Sequence, residues 1–592
     1  MKIAGYVLVA FAMYMPCRYM WPLGASFYID WTNHEWAIGY FGEYIRNNHA
    51  IPYVINTSGL GGLAHPVFYG NLMYPLLGML ASVLAPGVVI RIAAIAVFVA
   101  QYRLVSLALV RMQAPLYFAR IVGCLVIWAT YPLTNFYNRS ALTEFFATTL
   151  LVCALGCLVL LFHADEARQR RYYAAGAMFS LTMAAGSHPI TAMYAGPVFA
   201  ALVPVFWWLL RHDRPRRRAI LKSLAPWLAA AGVCILPWYL AAHRFAEDLL
   251  IRNTAREVSV LRWDTVQARF FPIPWDSAVT PGVSLDDIVT PYLDAQFSLS
   301  LLVVFITVGA LAIAMAFRRK WSPTVAFAIG TVFFVVFLTL SLSVRAYHVF
   351  PAIAVMIQYA YRAITYINLS LLLGILLTVM ALRSLGDVDI RRRLEHPLIA
   401  AAAVTALLLA ATGVFVKWGH IAAIKKHESS RHWVLTAPER EKLIDLPAPY
   451  YGPYDYATDK LFAQVPASEE PKVIPQRFAV ASHRWFGHTR PMKLVLAEPT
   501  WVMTNILVFP WSKIELDGAE VKDVRTHWGK LTVLVPAGEH RLTTHFRPPL
   551  LFRILRPLSM FVMFAWCGYL LAPAFAWGYR AIRSLVGRLR AG

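Results

Sequence analysis

Runs of about twenty apolar residues recur along this chain, each long enough to cross a hydrocarbon layer about 30 Å thick. Backbone in lipid must satisfy its own hydrogen bonds, so such runs are helices rather than open strands. They predict about twelve spans, near 3–23, 88–110, 115–136, 141–163, 173–187, 190–209, 223–242, 299–317, 321–342, 366–383, 398–416 and 555–577. Only 15% of the residues are charged, where a soluble protein carries roughly a quarter. The deficit fits helices that must exclude ionisable side chains from lipid.

The formal charge is nevertheless +23, and its distribution decides what it means. Basic residues gather in short segments between apolar runs: Arg168, Arg170 and Arg171; Arg214 and Arg216 to Arg218; Arg318, Arg319 and Lys320; Arg391 to Arg393; and Arg580, Arg583, Arg588 and Arg590. Nucleic-acid binding needs a contiguous basic face on a soluble fold, so that class is excluded. The pattern is the positive-inside one and places both ends in the cytoplasm. It also requires the run 71–84 to be a short juxtamembrane helix, and 350–362 a partial helix at the outer surface. The run from Ile3 to Gly24 resembles a signal peptide but is long and interrupted by Arg18, so it reads as a retained anchor. All six cysteines fall within apolar runs, and no disulfide framework is expected.

Three outer segments are then large: 25–87, the proline-bearing 243–298, and 417–551. The last is long enough for a domain, and its second half alternates as strands do, in Lys493–Leu496, Ile506–Phe509, Lys513–Leu516 and Leu531–Val535. Asp517-Gly518 signals a hairpin turn. The expected organisation is an all-α membrane domain over 1–416, an extracytoplasmic mixed, β-sandwich-like domain over 417–551 whose second half is a small antiparallel sandwich, and a last span with a basic tail over 552–592.

Candidate chemistry clusters on the outer side. Asp30, just beyond the first span and flanked by aromatics, suits general-base work by partial desolvation; equally, it could cap a helix starting at Trp31. Glu144 lies inside an apolar run five residues after Arg139, which reads either as a site or as a structural ion pair. His188 stands in a turn between two spans. Arg345 and Arg362 lie on the outer side against the positive-inside bias, as anion ligands or as headgroup anchors. Walker, dinucleotide and zinc-protease motifs are missing, so an activated donor should arrive from the membrane.

Several stretches carry a resemblance. The acid after the first span, followed by His65-Pro66-Val67-Phe68-Tyr69-Gly70-Asn71-Leu72-Met73-Tyr74-Pro75, resembles the GT-C membrane glycosyltransferases. Arg139-Ser140-Ala141-Leu142-Thr143-Glu144 is similar to that superfamily's Arg-x-Ala-Leu-Thr-Asp, with Glu where Asp is commoner. Gly186-Ser187-His188-Pro189 looks like a turn of aminoarabinose transferase, where some relatives carry Lys. Gln358-Tyr359-Ala360-Tyr361-Arg362 and the strand-rich tail resemble the YfhO-type and "6-pyruvoyl-tetrahydropterin synthase related" membrane proteins, and more distantly the protein O-mannosyltransferases. The resemblance implies an inverting transfer from a polyprenyl-phosphate sugar to a glycan, lipid or protein acceptor, at the outer face of a bacterial inner membrane. In that reading Asp30 is the base and Glu144 positions acceptor or sugar. Arg139, His188, Arg362 and Arg345 hold the donor phosphate, and Glu35, His65, Tyr69, Tyr74, His348 and Gln358 line the substrate. No cofactor is expected, although Asp30 with Glu35 leaves a weakly held divalent cation open. The rival classes are a transporter or flippase of lipid-linked sugars and a non-catalytic envelope-assembly protein. A transporter often carries internal repeats, and none is visible here.

Overall fold

The computed structural model describes residues 2–20, 31–55, 62, 64, 67, 69–245, 297–342, 360–385, 389–429, 463–464, 471–474, 491–527 and 530–591. Among them ten helices are long and apolar enough to cross a membrane: Pro86–Arg111, Leu116–Asn138, Leu142–His163, Pro189–Leu209, Arg214–Phe245, Leu299–Ala316, Ser322–Ser341, Ala363–Ser384, Pro397–Gly419 and Leu550–Pro573. Two of the twelve expected spans fall outside that set. The first is a helix over Lys2–Cys17 that tightens into a 3-10 turn at Arg18–Met20. The second lies in helix Ala167–Ser187, whose first turns carry Arg168, Arg170 and Arg171 and dilute its apolar character. The run 71–84 forms only Met73–Ala81. At 1.5 Å per residue that is about 14 Å, too short to cross.

Burial sorts the helices into two layers. The most apolar stretches of Leu116–Asn138, Leu142–His163 and Ala363–Ser384 are 72%, 78% and 94% buried, against 17–44% for the other seven. These three form the inside of the bundle, and the others turn apolar faces outward, among them Trp207, Ile306 and Val332. Close approach is bought with small residues, as is common between membrane helices. A Cβ added to Gly330 would lie 2.5 Å from the Cα of Gly374, so helices Ser322–Leu342 and Ile364–Ser384 touch backbone to backbone there.

The C-terminal β region comprises β1 (Ala463–Gln464), β2 (Lys472–Val473), β3 (Met492–Leu496), β4 (Thr500–Leu507), β5 (Ser512–Leu516), β6 (Ala519–Glu520), β7 (Val524–His527), β8 (Lys530–Val535) and β9 (Gly538–Phe546). They make two sheets, ordered β1-β7-β8-β4-β2 and β3-β9-β5-β6. Leu494, Ile514 and Leu542 of one sheet and Val502, Leu531 and Val533 of the other share a core; β3 alternates buried and exposed residues along its length, whereas in β8 Thr532 between Leu531 and Val533 is buried as well. Asp517 and Gly518 both have positive φ, 52° and 82°, as a two-residue hairpin turn requires. Two short strands precede the antiparallel part and pair differently. The two-residue edge strands β1 and β2 pair in parallel, with β7 and β4, because neither is joined to its partner by a hairpin. Trp511 ties the sheets to the bundle, its ring centre 4.9 Å from that of Phe245, 5.9 Å from Phe546 and 4.8 Å from Phe552.

Candidate functional site

The three inner helices bring their charged ends together. Leu116–Ile127 passes through Thr130–Leu133 into a π-turn at Thr134–Asn138, closed by Arg139 N–H donating to the Thr134 carbonyl at 2.9 Å. Such turns interrupt α-helices at functional places more often than elsewhere. Ser140 follows with φ +55°, a left-handed conformation uncommon for a residue with a side chain. The tight reversal starts helix Leu142–His163 with Glu144 in its first turn, where a carboxylate is favoured by the helix dipole.

Glu144 is 2% exposed and satisfied on both oxygens. Its Oε2 lies 3.0 Å from Arg139 Nη1 and 3.1 Å from Arg362 Nε. Its Oε1 accepts from Tyr131 Oη at 2.8 Å and Asn135 Nδ2 at 3.3 Å. The Asn135 carbonyl oxygen in turn accepts from Arg139 Nη1 at 3.0 Å. Arg362 enters from the 3-10 turn Ala360–Ala363, which leads directly into Ile364–Ser384. Two guanidiniums and one carboxylate therefore meet in a buried place, with positive charge in excess among the described residues.

His188 sits at the turn between helices Ala167–Ser187 and Pro189–Leu209 and caps the second, its Nδ1 accepting from Thr191 N–H at 3.3 Å. That bond leaves the ring proton on Nε2. Burial, then Arg362, pushes the pKa of His188 down to about 3, so it works as a neutral N–H donor rather than a cation. Tyr69 stands edge-on to His188 at 6.2 Å between ring centres, and its hydroxyl is 2.6 Å from Thr143 Oγ1. Tyr74 follows at 6.5 Å from Tyr69, its hydroxyl 2.8 Å from His34 Nδ1. His34 is likewise pushed down to about 3, by burial and then by Arg139. The result is an aromatic and imidazole wall beside the ionic cluster.

Of the residues singled out from the sequence, the structure brings together Glu144, Arg139, Arg362 and His188, with Tyr69 and Tyr74 adjoining. Glu35 takes part in a separate pairing. It accepts from Trp31 Nε1 at 2.7 Å, and Arg91, the cation it feels most strongly, donates to the Gly87 carbonyl at 2.9 Å. Burial raises the Glu35 pKa and Arg91 opposes the rise. Asp30, His65, Arg345, His348 and Gln358 lie outside the described residues. No group of three His, Cys, Asp or Glu side chains gathers as metal ligands do among the described residues.

Sequence reasoning missed Tyr131, Asn135, His34 and Lys417. Lys417 is 1% exposed and donates to Thr134 Oγ1 at 2.8 Å, bracing the π-turn that carries Asn135. A lysine at the end of an apolar span is itself a signal that could have found it. Nothing in the sequence announces that Tyr131 and Asn135 face Glu144, because the π-turn sets their direction.

No protein-family model matches the sequence, and no curated protein matches it. Among solved structures the chain is similar to the arabinofuranosyltransferase AftD from Mycobacteria, at 17% identity and a TM-score of 0.35, over 70% of this chain and 27% of that one. It is also similar to the Archaeoglobus fulgidus oligosaccharyltransferase in its apo form, at 13% identity and 0.37, over 81% and 64%. ArnT from Cupriavidus metallidurans bound to undecaprenyl phosphate is similar at 11% identity and 0.26, over 64% and 77%. Likeness at this level leaves the reading of the site to its own residues.

Proposed function

We propose that this chain is a membrane glycosyltransferase that moves a sugar from a polyprenyl-phosphate carrier to a glycan, lipid or protein acceptor on the outer face of a bacterial inner membrane. One observation carries the reading: Arg362, more than two hundred residues on in the sequence, joins the neighbouring Arg139 and Glu144 within 3.1 Å in a buried cluster beside His188. The acceptor oxygen bonds to the anomeric carbon from the side opposite the phosphate, and the bond from that carbon to the phosphate oxygen breaks. Asp30 takes the acceptor's proton. The released polyprenyl phosphate gains negative charge, which Arg139 and Arg362 meet as preorganised cations and His188 as an Nε2–H donor. Glu144 holds the two guanidiniums in register, and the aromatic wall of Tyr69 and Tyr74 flanks the sugar.

The test compares the masses of cell-surface glycans from cells carrying the wild-type gene, no gene, or Asp30→Asn. One glycosyl increment is expected to disappear in the last two, with the Asp30→Asn protein still in the membrane. Wild-type glycans from Asp30→Asn cells would remove Asp30 from the reaction. Lipid-linked sugar stranded on the inner leaflet would favour the transporter reading instead.

A further inference from the structure

A recess lies away from the Glu144 cluster, between the end of helix Trp31–Asn48 and the first turns of Leu550–Ala591. It holds about 280 Å³ and is walled by Tyr44, Ile51, Tyr53, Arg556, Pro557 and Met560, among others. Arg556 is 5% exposed. Its Nη2 donates to the Pro52 carbonyl at 2.9 Å, and its guanidinium carbon lies 5.1 Å from the centre of the Tyr53 ring and 6.0 Å from that of Phe552. Anchoring and stacking fix the plane of the guanidinium, and a fixed fork of N–H groups matches the oxygens of a phosphate. A second cation is close: Arg553, with Arg556, opposes the rise that burial imposes on the Tyr53 phenol. The described residues lining the space include no Asp or Glu.

Besides Arg556, His49 and the two tyrosines the wall is apolar, formed by Ala50, Ile51, Pro557 and Met560, and it continues onto the outside of the protein. Pro557 both lines the cavity and is exposed. Next to it on the same helix, Leu551, Ile554, Leu558 and Phe561 are 56%, 57%, 43% and 70% exposed at a spacing that sets them on one face. That stripe belongs to a helix long and apolar enough to cross the membrane, so lipid chains are its natural neighbours.

We infer that this cavity binds the phosphate headgroup of a membrane lipid, with Arg556 gripping the phosphate between Tyr53 and Tyr44 and the lipid chains lying along the Leu551–Phe561 face. The occupant thus needs both an anionic oxygen cluster and a hydrocarbon chain, and free inorganic phosphate supplies only the first.

Native mass spectrometry of the full chain in detergent, titrated with dioleoyl phosphatidate and separately with inorganic phosphate, tests this. Wild type should bind one phosphatidate saturably, without displacement by inorganic phosphate at the same concentration. Arg556→Gln should weaken that binding about tenfold, the loss of one charge-assisted contact. Ile51→Trp keeps the arginine and fills the space, and should weaken it to a similar degree; it decides the matter if Arg556→Gln does not fold. Unchanged phosphatidate binding in the folded variants would overturn the site. Equal competition by inorganic phosphate would overturn the lipid assignment and leave a free-anion site.

Discussion

Glu144 is the residue on which the ionic cluster turns, since both guanidiniums reach the same carboxylate oxygen. Removing one partner of a buried pair costs more than the pair contributes, because the remaining charges stay desolvated. Glu144→Gln should therefore lower the unfolding free energy by about 3 kcal/mol, whereas Glu144→Asp, one methylene shorter but still charged, should recover most of it. Denaturant-induced unfolding in mixed micelles reads both, and equal losses would mean that shape rather than charge sets the cost. The neighbouring imidazoles supply a pH signature. His34 and His188 are held neutral down to about 3, while an unfolded histidine takes a proton near 6.5. Between those limits the unfolded state binds more protons, so stability falls as pH drops through the window, by up to about 1.4 kcal/mol per pH unit for each imidazole. Glu35, raised by burial, acts with the opposite sign. The quantity to measure is therefore the difference in slope between wild type and His34→Gln from pH 6.5 to 5; the variant should be flatter. Identical slopes would mean that His34 carries its proton in the fold.

At the scale of elements, helix contact depends on what is missing from Gly330. A side chain there would meet backbone of the neighbouring helix at 2.5 Å, and backbone cannot swing aside as a side-chain tip can. Gly330→Leu should cost about 3 kcal/mol by overpacking and separate Ser322–Leu342 from Ile364–Ser384. A cysteine cross-linking scan along the two helices would show the loss, and an unchanged pattern would mean that the pair can slide. Since Arg362 stands at the start of the second helix, the same variant should weaken activity. Much of this architecture is legible in the sequence, for reasons that differ by element. The spans are legible because lipid allows one backbone solution, and the Asp517-Gly518 hairpin because two successive positive φ angles need such residues. Arg139 and Glu144 are legible as a pair because they are close in sequence. Apart from the resemblance of its stretch, Arg362 is legible only as an outward arginine, since its meeting with Glu144 depends on which helices are inner. The π-turn at Thr134–Asn138 is not legible, because no local propensity distinguishes five residues closing one bond later than an α-helix. It aims Asn135, so Asn135 stayed hidden with it.

At the scale of the whole molecule, the main core of the bundle and the core between the two sheets meet, among the described residues, at a narrow aromatic seam. The core shared by the two sheets is a cluster of its own, while Leu507, Phe509, Phe546 and Phe552 belong to the bundle's. Trp511 lies between, half-buried, touching rings from Arg214–Phe245, from β9 and from Leu550–Ala591. Truncating it removes the seam without entering either core. Trp511→Ala should cost about 2 kcal/mol, less than a fully buried tryptophan because part of the ring is already exposed. The loss should be local. Backbone amides at Phe245 and across 550–553 should exchange faster, while those around Val533 in the sheets and Leu151 in the inner helix keep their protection, since contacts that open separately exchange separately. Faster exchange at Val533 as well would make Trp511 part of the β fold itself, and the two cores would then be one cooperative unit rather than a bundle carrying a docked module.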